Sequence, residues 1–158
     1  MKDLDELARE IIETNQYMTL GTSDGKGSSW VAPLAYAHDK NWNMYFVSLP
    51  DSRHSSDLKK NNEAVVAIFD SHQAVGEGVG LQIEGIIKET NIKNIPLAAK
   101  TYFSKKYPYG RNMKEAFASA LRELLDGKVY RFYQFTPTNV WMNDPNAKTD
   151  VRVEVHLH

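Results

Sequence analysis

The stretch from Tyr45 to Lys60, Tyr-Phe-Val-Ser-Leu-Pro-Asp-Ser-Arg-His-Ser-Ser-Asp-Leu-Lys-Lys, concentrates side chains that hold anions. Arg53 can fork two oxygens, and the hydroxyls of Ser48, Ser52 and Ser55 can donate further bonds, which together suit a phosphate group. His54 adds an imidazole whose charge changes near an unperturbed pKa of roughly 6.5. The stretch alone also admits a blander reading, a capped surface helix with solvated charges, because neither Walker-type nor Rossmann glycines are present.

Positioning these groups requires an abrupt change of structural period. Met44 to Leu49 is apolar, aromatic and β-branched, as a buried strand needs. Pro50 ends that strand, having no amide hydrogen for a ladder. Asp51 and Ser52 are helix-capping types, and Arg53 to Asn61 reads as a short helix. Strand, turn and helix start would bring exposed amides, with their partial positive charge, beside Ser52, Arg53 and His54.

A chain of 158 residues suits one domain spanning 1–158 with a sizeable core. The net charge of −1 gives no electrostatic case for nucleic acid or an anionic membrane. Without cysteine there are no disulfides, thiolate metal sites or cysteine nucleophiles. The start, Met-Lys-Asp-Leu-Asp-Glu, is amphipathic rather than a secretory signal, and no run approaches the roughly 20 apolar residues of a membrane span. The expected setting is cytoplasmic.

Leu4, Leu7, Ala8, Ile11 and Ile12 repeat at helical spacing behind a candidate cap, Asp3, giving an N-terminal helix over about 3–15. Tyr17 to Thr22 reads as a strand, Ser23-Asp24-Gly25-Lys26-Gly27 as a turn, and Ser29 to Ala37 as the returning strand. Pro33 within that strand marks an edge, a bulge or an amide side facing something other than a neighbour, such as a cofactor. His38 to Asn43 is a polar turn, after which Met44 to Leu49 is expected as the third strand of a meander. Glu63 to Asp70 is another buried strand. Ser71 to Val79 loops out, and Gly80 to Glu89 is a longer strand bent around Gly85. A helical segment over about 95–126 holds Ile95 to Tyr107 and Met113 to Leu125, broken at Pro108-Tyr109-Gly110 and capped by Gly127. Val129 to Phe135 follows as a strand that Val140 to Met142 extends past Pro137, and Val151, Val153 and Val155 alternate as a last strand. The five strands up to Glu89, with short turns and so few helices, favour a closed or nearly closed antiparallel barrel.

This order resembles the FMN-binding split barrel of the pyridoxamine 5'-phosphate oxidase-like group. The resemblance rests on Tyr17-Met-Thr-Leu-Gly-Thr-Ser-Asp-Gly, on Trp30-Val-Ala-Pro-Leu-Ala-Tyr, on Tyr45-Phe-Val-Ser followed by Ser52-Arg-His and Leu58, and on Leu81-Gln-Ile-Glu-Gly. It implies a mainly β fold with α, a six- to seven-stranded antiparallel Greek-key-type split barrel with flanking helices. It also implies a homodimer with two FMN sites in clefts between subunits. Carried over by position, Ala32, Pro33 and Leu34 run along the isoalloxazine, Val47 and Ser48 lie beneath the ring and ribityl chain, and Ser52, Arg53 and His54 face the phosphate. Gln82 is offered to the flavin's edge from the partner chain, with Gly80 as the competing alignment. The implied function is an FMN-dependent oxidoreductase passing hydride to an unidentified small molecule.

Three departures separate the chain from the true oxidase. His54 stands where a lysine is usual, the strand from Trp30 to Tyr36 lacks basic residues, and Arg152 and His156 do not form the Arg-x-His element for pyridoxal phosphate. No catalytic acid or base is assigned, because the flavin carries the redox chemistry. Trp141 reads as an aromatic of the core or dimer interface, and Tyr102, Tyr107 and Tyr109 as packing. His156 and His158 share a strand face without a third ligand, so no metal site is expected, and His38 and His72 fall in polar loops. Two other functions fit the same barrel: a non-catalytic flavin or haem binder acting as sensor or store, and a cofactor-free dimeric interaction module.

Overall fold

Asp3 opens the first helix, α1 (Leu4–Thr14), by accepting from the amides of Asp5 and Glu6, and the helix buries Ala8, Ile11 and Ile12. The computed structural model describes residues 3–105, 122 and 130–158. The second predicted helix, Met113 to Leu125, lies outside the described residues apart from Arg122, as do Tyr107, the Pro108-Tyr109-Gly110 break and the Gly127 cap.

The strands are β1 (Tyr17–Ser23), β2 (Ser29–Ala35), β3 (Ala37–His38), β4 (Met44–Ser48), β5 (Glu63–Phe69), β6 (Gly80–Glu89), β7 (Arg131–Asn143) and β8 (Arg152–Glu154). Helix α2 (Arg53–Leu58) joins β4 to β5, and α3 (Ile95–Ser104) follows β6. The strands pair in the order β2-β1-β5-β6-β7-β4-β3, all antiparallel, with β8 on β7. Only Tyr36 separates β2 from β3, so the last strand of the path continues the first and the curled sheet nearly closes. Closure fails between β2 and the end of β4, where Phe46, Val47 and Ser48 pair only with β7. That opening makes the architecture a split barrel.

Inward residues of these strands form one core, including Met18, Leu20, Phe46, Val66, Ile83, Phe135 and Met142. Full burial of a side chain such as Phe46 contributes about 1.5–3 kcal/mol. Strand β4 is apolar on both faces because both are covered. Phe46 stacks inside on Tyr133 at 5.2 Å, while Tyr45 packs outside with Phe132, Ala98 and Ala99 under α3.

Several boundaries differ from the sequence expectation. β4 is not the third strand of a meander: its aromatic pairing with β7 takes it to the other side of the sheet, away from β2. The returning strand breaks at Tyr36, and α2 stops at Leu58 because the amides of Lys60 and Asn61 both turn onto the Asp57 carbonyl. β7 runs unbroken through Pro137. A register shift places Gly85 opposite Pro137, after Glu84 opposite Asn139, so the extra residue is Thr138, beside the proline that cannot donate. His38 belongs to β3 rather than to a loop and stacks on Trp42 at 4.8 Å.

Tyr36 fastens α1 to the barrel: its buried hydroxyl donates to the Ile12 carbonyl at 2.6 Å. Lys105 lies over the same ring, 3.8 Å from its centre, and donates to the Asn15 carbonyl. Tyr36→Phe is expected to cost about 1 kcal/mol. Urea unfolding checks this, and an unchanged midpoint would mean that the bond contributes nothing net. No helix among the described residues is long and apolar enough to cross a membrane.

Candidate functional site

Leu49 and Pro50 turn the chain out of β4, with the Ser52 amide donating back to the Leu49 carbonyl at 3.2 Å. Ser52 is extended (φ −60°, ψ 155°) and caps α2, its hydroxyl accepting from the Ser55 amide. The same hydroxyl donates to Ser55 Oγ at 2.9 Å. His54 Nε2 lies 2.6 Å from Ser48 Oγ and 3.1 Å from Ser52 Oγ. Ser48, Ser52, His54 and Ser55 are thus one hydrogen-bonded cluster, largely buried. Helix α2 has only six residues, so its dipole is small and side-chain donors dominate the local field.

Arg53 stands outside the cluster and is exposed. Its guanidinium lies over the Trp30 ring at 4.8 Å and donates to Ser28 Oγ at 2.8 Å. Ser28 is set by the β1–β2 turn, where the Asp24 carboxylate accepts from the amides of Lys26 and Ser28. Those two amides hold the Asp24 carboxyl below its ordinary value. Gly25 and Gly27 supply the positive φ that the turn requires. Behind the helix, Asp57 accepts from Thr22 Oγ1 at 3.2 Å, which turns this carboxylate toward β1.

Burial lowers the pKa of His54 below 6.5, and the neighbouring Asp57 only partly offsets the shift. The native state therefore holds a neutral imidazole while the unfolded chain binds a proton more readily. Stability contributed by the neutral form is complete above about 6.5 and is lost as pH falls from there toward the folded value. We expect the Tm to drop on acidification through this window and His54→Gln to flatten that part of the profile. A variant whose Tm follows pH as steeply as the parent's would place the titration on another group.

The two edges of the split carry the other predicted contacts. Ala32, Pro33 and Leu34 lie on β2, the terminal strand of the path, with Pro33 exposed opposite Thr19. Val47 and Ser48 lie on the facing edge, in β4. Gln82 is elsewhere. It sits on β6 opposite Trp141, in a groove of about 1050 Å³ that Gly80 and Arg152 also line. Trp141 is half-buried on the outward sheet face rather than in the core, while His156 and His158 are exposed. No cluster of three or more metal-ligating side chains occurs among the described residues.

Three participants escaped the sequence reading. Trp30 entered only through the motif Trp30-Val-Ala-Pro-Leu-Ala-Tyr, with no role at the site assigned, and Ser28, between the turn Ser23–Gly27 and the strand from Ser29, was assigned to neither. Arg131 lies directly across from Ser48 in the β4–β7 ladder and pairs with Glu89 at 3.1 Å. Only strand pairing brings Arg131 there, and no local signal marks it.

An antiparallel sheet curled into a nearly closed barrel with one open seam, and a buried hydroxyl–imidazole cluster at the end of that seam, define the class of small split β-barrels. Within that class the chain belongs to the pyridoxamine 5'-phosphate oxidase family, whose sequence profile matches residues 4–134. No curated protein matches the sequence. Among solved structures, a haem-binding protein from Mycobacterium smegmatis superposes with a TM-score of 0.72 at 13% identity, covering 98% of this chain and 59% of that one. HutZ, the haem storage protein from Vibrio cholerae, gives 0.65 at 12% identity, with 88% and 94% covered. General stress protein 26 from Bacillus anthracis gives 0.59 at 16% identity, with 88% and 92% covered. At these identities the likeness is one of fold. The chain spans about three fifths of the mycobacterial protein's length.

Proposed function

We propose that the chain is an FMN-binding flavoprotein, a homodimer with its cofactor sites between subunits, acting as an oxidoreductase on a small molecule. One observation carries this reading: the Ser48, Ser52, His54 and Ser55 cluster lies at the end of a split edged by Ala32–Leu34 and Val47–Ser48, and Arg53, from the same helix start, lays its guanidinium across to Trp30 on the opposite edge strand. The donor set suits a phosphate monoester, since the nearby carboxylate of Asp57 is engaged with Thr22. Arg53 and the three serines would hold the phosphate, with His54 orienting the hydroxyls. The two strand edges would flank the ring and keep water from it. FMN, when bound, supplies two-electron hydride transfer.

The outward sheet face supports the dimer. Tyr17, Val31, Val65 and Phe69 are each more than half exposed on strands β1, β2 and β5. Gln82 lies three strands from Pro33, roughly 14 Å at ordinary strand spacing. That distance favours its reaching a partner's flavin rather than its own. A haem-binding reading takes support from the mycobacterial and Vibrio structures. Against it, His54 Nε2 already serves Ser48 and Ser52, and His38 is stacked on Trp42.

Parallel titrations of the purified protein with FMN, followed by flavin fluorescence, and with hemin, followed by Soret absorbance, decide between these readings. The expected result is saturable FMN binding at one per chain with a raised Tm; about 2.7 kcal/mol of stabilisation accompanies ligand at a hundred times Kd. Saturable hemin binding without FMN binding overturns it.

A further inference from the structure

We propose that Trp30 and Ser28 are positioning residues that hold the Arg53 guanidinium ready for the phosphate, an inference that rests on the flavoprotein reading. Arg53 sits on a short helix and is exposed, so nothing on its own element limits its rotamers. An arginine that must be ordered when the anion arrives loses affinity to that ordering, whereas one already held does not. Two contacts from a different element hold this one: the Trp30 ring face at 4.8 Å and the Ser28 hydroxyl at 2.8 Å.

The hairpin that presents them is itself stiffened. Asp24 binds the amides of Lys26 and Ser28 by its side chain and donates its own amide to the Ser28 carbonyl, so Ser28 Oγ starts from a fixed backbone. Trp30 follows two residues later on β2. It is 42% exposed and belongs neither to the core nor to the apolar side chains packed against it, so core packing does not account for an indole here. The edge of the hairpin is tied to the helix a second time by Thr22, the cross-strand partner of Trp30, which donates to Asp57. Guanidinium over indole leaves the in-plane N–H groups pointing outward. One of them goes to Ser28, and the rest of the fork stays available for bidentate contact with an oxyanion.

The test is a double-mutant cycle on FMN affinity, read by fluorescence quenching, with the Tm of each variant recorded. Trp30→Leu and Ser28→Ala are each expected to weaken binding about three- to tenfold. Trp30→Phe, which keeps an aromatic face, recovers most of the loss, and Trp30→Leu has no further effect in an Arg53→Ala background. A Trp30→Leu loss of the same size with and without Arg53 overturns the inference, because Trp30 would then be acting on the flavin or the fold. Parent-like affinity in Trp30→Leu and Ser28→Ala also overturns it, while leaving FMN binding by the parent intact. A parent that binds no FMN overturns the flavoprotein reading and this inference together.

Discussion

Arg53→Ala is expected to weaken the proposed FMN binding by about 10- to 150-fold, the equivalent of roughly 1.5–3 kcal/mol for hydrogen bonds to a charged group. The serine hydroxyls remain as neutral donors, so binding is reduced rather than abolished. Riboflavin, which lacks the phosphate, separates the cradle from the rest of the site: its affinity should be equal in parent and variant. Arg53→Lys should fall between the two, since it keeps the charge but neither forks an oxyanion nor lies flat on the Trp30 ring. Because the guanidinium is exposed, the parent's advantage shrinks as salt is added. Equal FMN affinity in parent and Arg53→Ala, measured at low ionic strength by quenching, removes the assigned cradle.

What the sequence disclosed of this arrangement was local. Pro50, Ser52 and the change of period at Leu49 are read from adjacent residues, and the structure places a strand end, a cap and a helix there. Asp3 capping α1 and the bend at Gly85 were legible for the same reason. Partners distant along the chain were not. Arg131 reaches Ser48 across 83 residues of separation only because β4 pairs with β7 instead of continuing a meander. The company His54 keeps was hidden likewise: a histidine in a helix start reads as a solvated cation, whereas here the Ser48 and Ser52 hydroxyls and the Phe46 edge bury it. Its expected contact with phosphate thereby becomes a hydroxyl-orienting role in the proposal. Trp30 was hidden as well, since its place in a motif gave it no partner, and its position on an edge strand sets it against Arg53. Periodicity gives faces and ends of elements; it does not give the register that brings two faces together.

Gly85→Ala is expected to be the most damaging single methyl group in the barrel. A Cβ there would stand against the Phe135 ring and 2.5 Å from the Thr136 carbonyl oxygen. Neither can retreat: Phe135 is fully buried, and the carbonyl belongs to β7, with which β6 is paired on both sides of the register shift. Overpacking of this kind costs about 3 kcal/mol, the upper part of the usual range, because backbone as well as side chain must move. Gly21→Ala offers the internal control. Its Cβ would meet Val65 Cγ2 at 2.7 Å, the end of a side chain more than half exposed, which can turn away at a cost of about 1 kcal/mol. Urea midpoints at a common slope should therefore rank parent, then Gly21→Ala, then Gly85→Ala. Gly85→Ala combined with Phe135→Leu should recover little, since the carbonyl contact persists and a cavity is added. Were Gly85→Ala to unfold within about 1 kcal/mol of the parent, the bulge would be a pliable edge rather than the fixed corner that lets β7 carry Pro137 through the sheet.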